Sequence, residues 1–153
     1  MPPAPKNGFR VAAAARAGNP DSAVAFNPGV YNRLRSLTAY EDYLAGEIND
    51  PNAVDLRRAV DGRHDGVQVH VLSYLGQRWG MVEPRFWIEE VVRFSCERTR
   101  NGGALTWDVP IQPNGLLMSQ PFMEQLTAAG KALDRGLLIP IRLNKCALYN
   151  DDL

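Results

Sequence analysis

Asn27, Glu47, His70, Trp79, Trp107 and Asp108 are the residues whose types and spacing suit chemistry in this chain. Asn27 closes the apolar run Ser22-Ala-Val-Ala-Phe26, and Glu47 lies in the long connection after it. His70 sits inside the β-branched run Val67 to Leu75, and Trp79 follows that run. Trp107 and Asp108 close the run Ala104 to Val109. In a parallel α/β sheet, residues at and just past the carboxyl ends of the strands converge on one face, where ligands bind. Tyr31, Tyr40, Glu41, Asp42, Tyr43, Gln77 and Arg78 fall in the same segments. Such a set suits a sugar. A flat indole covers the C–H side of a pyranose, while acids and amides bond its hydroxyls. Each residue also has a plainer use. Glu41, Asp42 and Glu47 fit a solvated loop. His70 fits a structural hydrogen bond, and Trp79 and Trp107 fit a core. Asp108 before Val-Pro suits a loop brace, and His64 among turn residues suits solvent.

The elements that must position these residues follow from the pattern. Phe9 to Ala17 is Ala-rich and Arg-flanked, a good helix former, and Gly18-Asn19-Pro20 stops it. Ser22 to Phe26 reads as a short strand buried on both faces. Val30 to Glu47 lacks a clean period, and a loop of that length in a compact domain tends to be functional. Asn52 to Val60 suits a helical turn or two, and Asp61-Gly62 and Asp65-Gly66 read as turns. Val67 to Leu75 is the strongest strand. Pro84 to Thr99 reads as a helix, with Pro84 in its first turn and Ile88, Val91, Val92 and Ser95 on one face. Gly102-Gly103 releases the chain into the strand Ala104 to Val109. Ser119 caps a second long helix with Phe122, Leu126, Ala129 and Leu133 along one stripe. Leu137 to Leu143 suits a short final strand. Strands alternating with helices imply an α/β fold with a parallel sheet.

Composition narrows the function. The chain has 153 residues, 45% of them apolar, enough for a domain with a real core. Lys and Arg number 17, as do Asp and Glu, so nothing favours capture of nucleic acid or of an anionic membrane. No apolar stretch is long enough to span a bilayer, and Met1-Pro-Pro-Ala-Pro lacks the core of a secretory signal. The two cysteines, Cys96 and Cys146, read as plain buried thiols. Gly76-x-x-x-Gly80 lacks the Lys-Ser/Thr of a phosphate loop. There is no G-x-S-x-G elbow, and the His and Cys spacing makes no metal cluster. The sequence calls for no cofactor.

Three ordered blocks carry a family likeness. They are Ala17-Gly-Asn-Pro-Asp-Ser-Ala-Val-Ala-Phe-Asn27, then Leu72-Ser-Tyr-Leu-Gly-Gln-Arg-Trp-Gly80, then Asn101-Gly-Gly-Ala-Leu-Thr-Trp-Asp-Val-Pro110. The third block continues into Asn114-Gly115 and Phe122-x-x-Gln125-Leu126-x-x-x-Gly130. Together they resemble the later part of the catalytic barrel of α-L-fucosidase-like glycoside hydrolases. The second block is similar to that family's S-W-G-Y strand end, and the third to its G-G-N-L-L-L-N-x-G-P stretch. Trp107-Asp108 in place of Leu-Asn, and Met81 in place of Tyr after Trp79-Gly80, mark a divergent subgroup.

The resemblance implies a partial (β/α)8 barrel of three to four C-terminal βα units with parallel strands, over residues 9–136. A disordered arm over 1–8 and a tail over 137–153 flank it. A complete barrel takes about 250 residues. The resemblance also implies a retaining hydrolase, in which two carboxyls stand about 5–5.5 Å apart. The family's nucleophilic Asp lies on a strand upstream of the matched blocks, so this chain is expected to have little hydrolase activity by itself. Glu47, in Tyr43-Leu-Ala-Gly-Glu47, is the candidate general acid/base. Another family position for that acid falls near Gln68 to His70, where no acid stands. Asn27, His70, Trp79, Trp107 and Asp108 are the expected sugar contacts. The implied partners are a fucoside or related glycan, and either a barrel half with the earlier strands or a second copy paired through open strand edges. A non-catalytic sugar-binding module, a degenerate pseudoenzyme fragment and a small doubly wound α/β protein are the alternatives.

Overall fold

The computed structural model describes residues 7–31, 33–53, 62–100, 102–111 and 119–137. They form a mixed α/β chain of three helices and four short strands among the described residues. In order these are α1 (Gly8–Gly18), β1 (Arg63–His64), β2 (Val67–Gln68), β3 (His70–Tyr74), α2 (Ile88–Thr99), β4 (Ala104–Asp108) and α3 (Gln120–Leu137). A 3-10 turn spans Pro51–Ala53. The chain divides into two compact units. One holds residues 1–73 with 101–106, the other residues 74–100 with 107–153. No helix of the described residues is long and apolar enough to cross a membrane.

In the first unit, α1 ends as its sequence directs. Asn19 leaves the helix with extended backbone, and its N–H donates to the Ala15 carbonyl. β1 and β2 form an antiparallel hairpin in which Arg63 faces Gln68 and His64 faces Val67. The two residues between them, Asp65 and Gly66, both take positive φ, at 53° and 80°. That is the conformation a two-residue hairpin turn requires, and Asp-Gly supplies it cheaply.

The main sheet of this unit runs parallel. Leu44 N donates to Gln68 O, Leu72 N to Gly46 O and Ile48 N to Leu72 O, each at 2.9 Å. Tyr43 is thereby bridged to Gln68 and Glu47 to Leu72, both in the parallel sense. On the far side of β3 comes β4, its neighbour in the sheet, with Ala104 N donating to Val69 O at 2.9 Å. One face of this sheet is the core. Leu44, Ile48, Val67, Val69 and Val71 are buried there with Leu34, and Leu105 packs against them. Ser73 joins that face and donates its hydroxyl to Ile48 O.

Two expectations are corrected in this unit. Residues 22–26 are not a strand. Val24 alone is buried among them, its N–H goes to the Asp42 carboxylate instead of a ladder partner, and its carbonyl accepts from Asp42 N. The later part of the expected loop 30–47 is instead the parallel neighbour of β3. Its apolar register, Leu44 and Ile48, is interrupted by Gly46, so the period-two signal fails in the sequence. In the strand 67–75 one face is buried and the other is not. Val69, Val71 and Ser73 are buried while Gln68, His70 and Leu72 are half-buried, which leaves a polar face.

The second unit is a helical layer on short extended segments. α2 and α3 pack on one another. Val91, Phe122, Leu75 and Ala129 are buried together, with Phe86, Val92, Trp107, Val109 and Leu126 around them. Phe94 is fully buried on α2, its ring centroid 5.3 Å from that of Phe86. On α3, Phe122 and Ala129 are buried, Leu126 and Leu133 half-buried, and Gln125 fills the same side by donating to Phe86 O at 2.6 Å.

The expected helix 84–99 begins four residues late. Residues 83–85 are extended because they pair back, Gln77 N donating to Glu83 O and Arg85 N to Leu75 O. Glu90 then fixes the start of α2 by accepting the Trp87 N–H at 2.9 Å. Trp87 itself is 78% exposed. Ser119 precedes α3, but its backbone carbonyl, not its buried hydroxyl, meets the first turn. Cys96 is disulfide-bonded, which corrects the reading of a plain thiol. A count of two cysteines cannot by itself tell a bridge from two thiols. Cys146, residues 54–60 of the expected helical turns and residues 138–143 of the expected last strand lie outside the described residues.

Candidate functional site

Side chains alternate across a strand, and in the first unit that alternation sorts the chemistry. With Leu44 and Ile48 in the core, Tyr43 and Glu47 fall on the other face. With Val69 and Val71 in the core, so do Gln68 and His70. With Leu105 against the core, so does Thr106. An amide, a carboxylate, an imidazole and two hydroxyls therefore share the polar face of one parallel sheet.

The bonds on this face are specific. Asn27 donates its amide to Glu47 Oε2 at 2.5 Å, and its own Oδ1 accepts the Gly29 N–H at 2.8 Å. Glu47 is half-buried, and its other carboxylate oxygen has no hydrogen bond among the described residues. His70 Nδ1 lies 3.1 Å from both Leu44 O and Ala45 O, and Nε2 lies 2.9 Å from Thr106 Oγ1. The Tyr43 ring meets the imidazole edge-on, at 5.5 Å and 87°. Gln68 donates to Gly102 O, at the start of the turn into β4.

Gly46 is a structural requirement of this arrangement. Its φ is +60°, and a Cβ there would overlap the His70 carbonyl oxygen and lie 2.8 Å from its carbon. Only glycine fits both the left-handed backbone and the close approach. Asp42 anchors the same segment. It accepts from Val24 N at 2.7 Å and from Arg16 at 2.8 Å. The Val24 N–H is the main influence holding its carboxyl below the usual range; slight desolvation opposes this and Arg16 reinforces it.

In the second unit, Trp79 is half-buried with its ring 4.6 Å from that of Tyr74, at 49°. Asp108 accepts the Gly80 N–H at 3.4 Å, so it steadies the turn that carries Trp79. Trp107 points inward. Its ring lies 6.0 Å from Phe86 and 6.4 Å from Phe94, and its Nε1–H donates to Ser95 Oγ at 3.1 Å.

Thus Asn27 is bonded to Glu47, and His70 shares the sheet face of Glu47 in the first unit, while Trp79 and Asp108 are linked through Gly80 in the second. Among the remaining candidates, Glu41 is buried and spent on Ser36 and on Leu37 N. Tyr40 packs on Phe9. His64 lies 3.4 Å from the carboxylate of its chain neighbour Asp65. Gln77 donates to Pro84 O, Tyr31 is half-buried, and Arg78 is exposed. Thr106 was not singled out in the sequence. Its one signal is a position two residues before Asp108 on the same strand, which alternation places away from Leu105. Among the described residues, no three His, Cys, Asp or Glu side chains gather to hold a metal ion.

The fold has solved counterparts. An endo-fucoidan hydrolase, MfFcnA4 of glycoside hydrolase family 107, superposes with a TM-score of 0.67 at 25% identity over 80% of this chain and 22% of its own. A variant of that enzyme with a histidine changed to glutamine superposes with a TM-score of 0.60 at 22% identity, over 79% of this chain and 22% of its own. MfFcnA9, another endo-fucoidan hydrolase of that family, gives 0.61 at 22% identity over 80% of this chain and 27% of its own. The chain thus spans about a quarter of the length of these hydrolases. Its structural neighbours are fucose-related glycoside hydrolases, as the sequence resemblance implies at that level, and they are endo-acting family 107 enzymes in place of α-L-fucosidases. No protein-family model matches the sequence, and no curated protein does.

Proposed function

We propose that this chain is a sugar-facing segment of a fucose-related glycoside hydrolase, built as part of a (β/α) barrel wall and taking a fucose-containing glycan. The observation that carries this reading is the polar sheet face that Glu47, bonded by Asn27, shares with His70. The fold likeness to endo-fucoidan hydrolases supports the same substrate class. Glu47 is the candidate general acid/base: one oxygen is oriented by Asn27 and the other is open to a ligand. Asn27 and His70 offer partners for sugar hydroxyls. Trp79 offers a ring face and Asp108 a carboxylate as separate contacts. Trp107 supports Asp108 from within the core.

One observation favours binding over hydrolysis by the chain alone. Retaining hydrolysis uses two carboxyls. Among the described residues of the first unit's strands, Glu47 is the one carboxylate that alternation places on the polar face; Asp42, in register with Leu44, is spent on Arg16 and Val24. Calorimetric titration with fucoidan oligosaccharides, beside turnover of an aryl fucoside, tests the reading. Wild-type chain is expected to bind, Glu47→Ala to lose at least tenfold in affinity, and turnover to stay at the level of Glu47→Gln. Absence of saccharide binding by the wild type would sink the sugar reading. Turnover well above Glu47→Gln would make the chain an enzyme in its own right.

A further inference from the structure

We infer that the fold locks His70 in its Nδ1–H tautomer, and that Thr106 is a positioning residue whose hydroxyl holds the Nε2 lone pair until a ligand hydroxyl takes its place. The second half of this inference rests on the sugar reading above; the first half does not.

The tautomer follows from the partners. Nδ1 faces two backbone carbonyl oxygens at 3.1 Å, those of Leu44 and Ala45. Carbonyl oxygens only accept, so Nδ1 carries a proton. In the neutral ring Nε2 is then a bare acceptor, and the group 2.9 Å from it is the Thr106 hydroxyl, which donates. A histidine whose one nitrogen is pinned by the backbone presents the other in a defined state, the logic by which a partner group sets which nitrogen is available.

The clamp is built into the sheet. Leu44 and Ala45 immediately precede Gly46, whose left-handed backbone lets this segment crowd against the His70 peptide. Leu72 N bonds Gly46 O, so the segment cannot slide along β3 without breaking the ladder. The Tyr43 ring edge limits tilting of the imidazole. Of the four contacts to the ring among the described residues, only the one from Thr106 comes from an exposed residue with a rotatable hydroxyl. It is therefore the contact that yields. A sugar hydroxyl has the same donor and acceptor capacity as a threonine hydroxyl and replaces it bond for bond, while Thr106 turns to water. The site thus selects a ligand that donates a hydroxyl at this point, and a ligand with only acceptors there leaves the lone pair repelled.

The test is long-range proton–nitrogen correlation NMR on the whole chain labelled with ¹⁵N-histidine, at a pH where imidazole is neutral. The chain has two histidines, so His64 serves as the internal reference. His70 is expected to show a protonated Nδ1 and a bare Nε2. Thr106→Val should move the Nε2 resonance toward that of an unbonded ring nitrogen without changing the tautomer, and Thr106→Ser should restore it. A protonated Nε2 in the wild type overturns the lock. An Nε2 resonance indifferent to Thr106→Val overturns the role of Thr106. Fucoidan oligosaccharide, added to saturation, should shift Nε2 in the wild type. Saccharide binding that leaves Nε2 unmoved overturns the exchange of hydroxyls. No binding at all defeats the sugar reading and with it the exchange, while the tautomer result still decides the lock.

Discussion

The two units of this chain spend their polar groups differently. In the first, the sheet buries one face and keeps a carboxylate, an imidazole, an amide and hydroxyls on the other, tied to each other and to the backbone. In the second, the polar atoms of Trp107, Ser95 and Gln125 serve the core, and the exposed rings are the half-buried Trp79 and the 78% exposed Trp87. The contrast separates residues that look alike in sequence. Trp79 follows one β-run and Trp107 closes another, yet one belongs to a turn and the other to a packed aromatic group. What decides is the register of the strand, since a shift of one residue exchanges its two faces.

Substitutions can break this contrast or sharpen it. The largest effect belongs to the second unit. Phe122→Ala empties a fully buried site and should cost about 3–5 kcal/mol, seen as an early unfolding transition in denaturant. The sheet-face hydrogen bonds of the first unit, read by the His70 nitrogen shifts, should persist where the units unfold separately.

Gly46→Ala attacks the first unit. Forcing a Cβ against the His70 carbonyl should cost about 1–3 kcal/mol, as overpacking does, and should abolish glycan binding measured by calorimetry. A variant with wild-type affinity would show that the sheet face does not depend on this close approach. Trp107→Phe keeps an aromatic ring but drops the bond to Ser95 with the pyrrole part of the indole. It should lower stability by about 1 kcal/mol and leave glycan affinity unchanged, whereas Trp79→Ala should weaken binding with little change in stability.

The smallest effect is electrostatic. The folded Asp42 carboxyl sits below its ordinary value of 3.8, so its contribution to stability is full above that pH. It is lost as pH falls through the folded value. Asp42→Asn should flatten that acid limb in a series of melts between pH 5 and 2. An unchanged limb would show that the Arg16–Asp42–Val24 link does not stabilise the fold.

Much of this was legible in the residues. The helices α1 and α3, the Asp65-Gly66 turn and the strands around His70 and Trp107 follow from helix propensity, the apolar stripe, turn chemistry and β-branching. What was hidden has identifiable causes. The parallel neighbour of β3 carries only two apolar core residues separated by a glycine, too few to show a period. Val24 makes its bonds to the carboxylate and backbone of a residue eighteen positions away, which no local pattern encodes. Pro84 suits a helix start, but the pairing of residues 83–85 with 75–77 overrides it. At the candidate site, the types of Asn27, Glu47 and His70 were readable. Their partners were not, because Thr106 and the Leu44 and Ala45 carbonyls become neighbours of His70 only through strand pairing.

The placement of the indoles gives the chain an optical asymmetry. All three tryptophans, Trp79, Trp87 and Trp107, belong to the second unit, and they range from a core position to the water-facing Trp87. Emission excited at the red edge of protein absorbance therefore reports on that unit alone. The first unit is dark at that wavelength, so a single tryptophan introduced there would make its melting visible against a second unit already reporting its own.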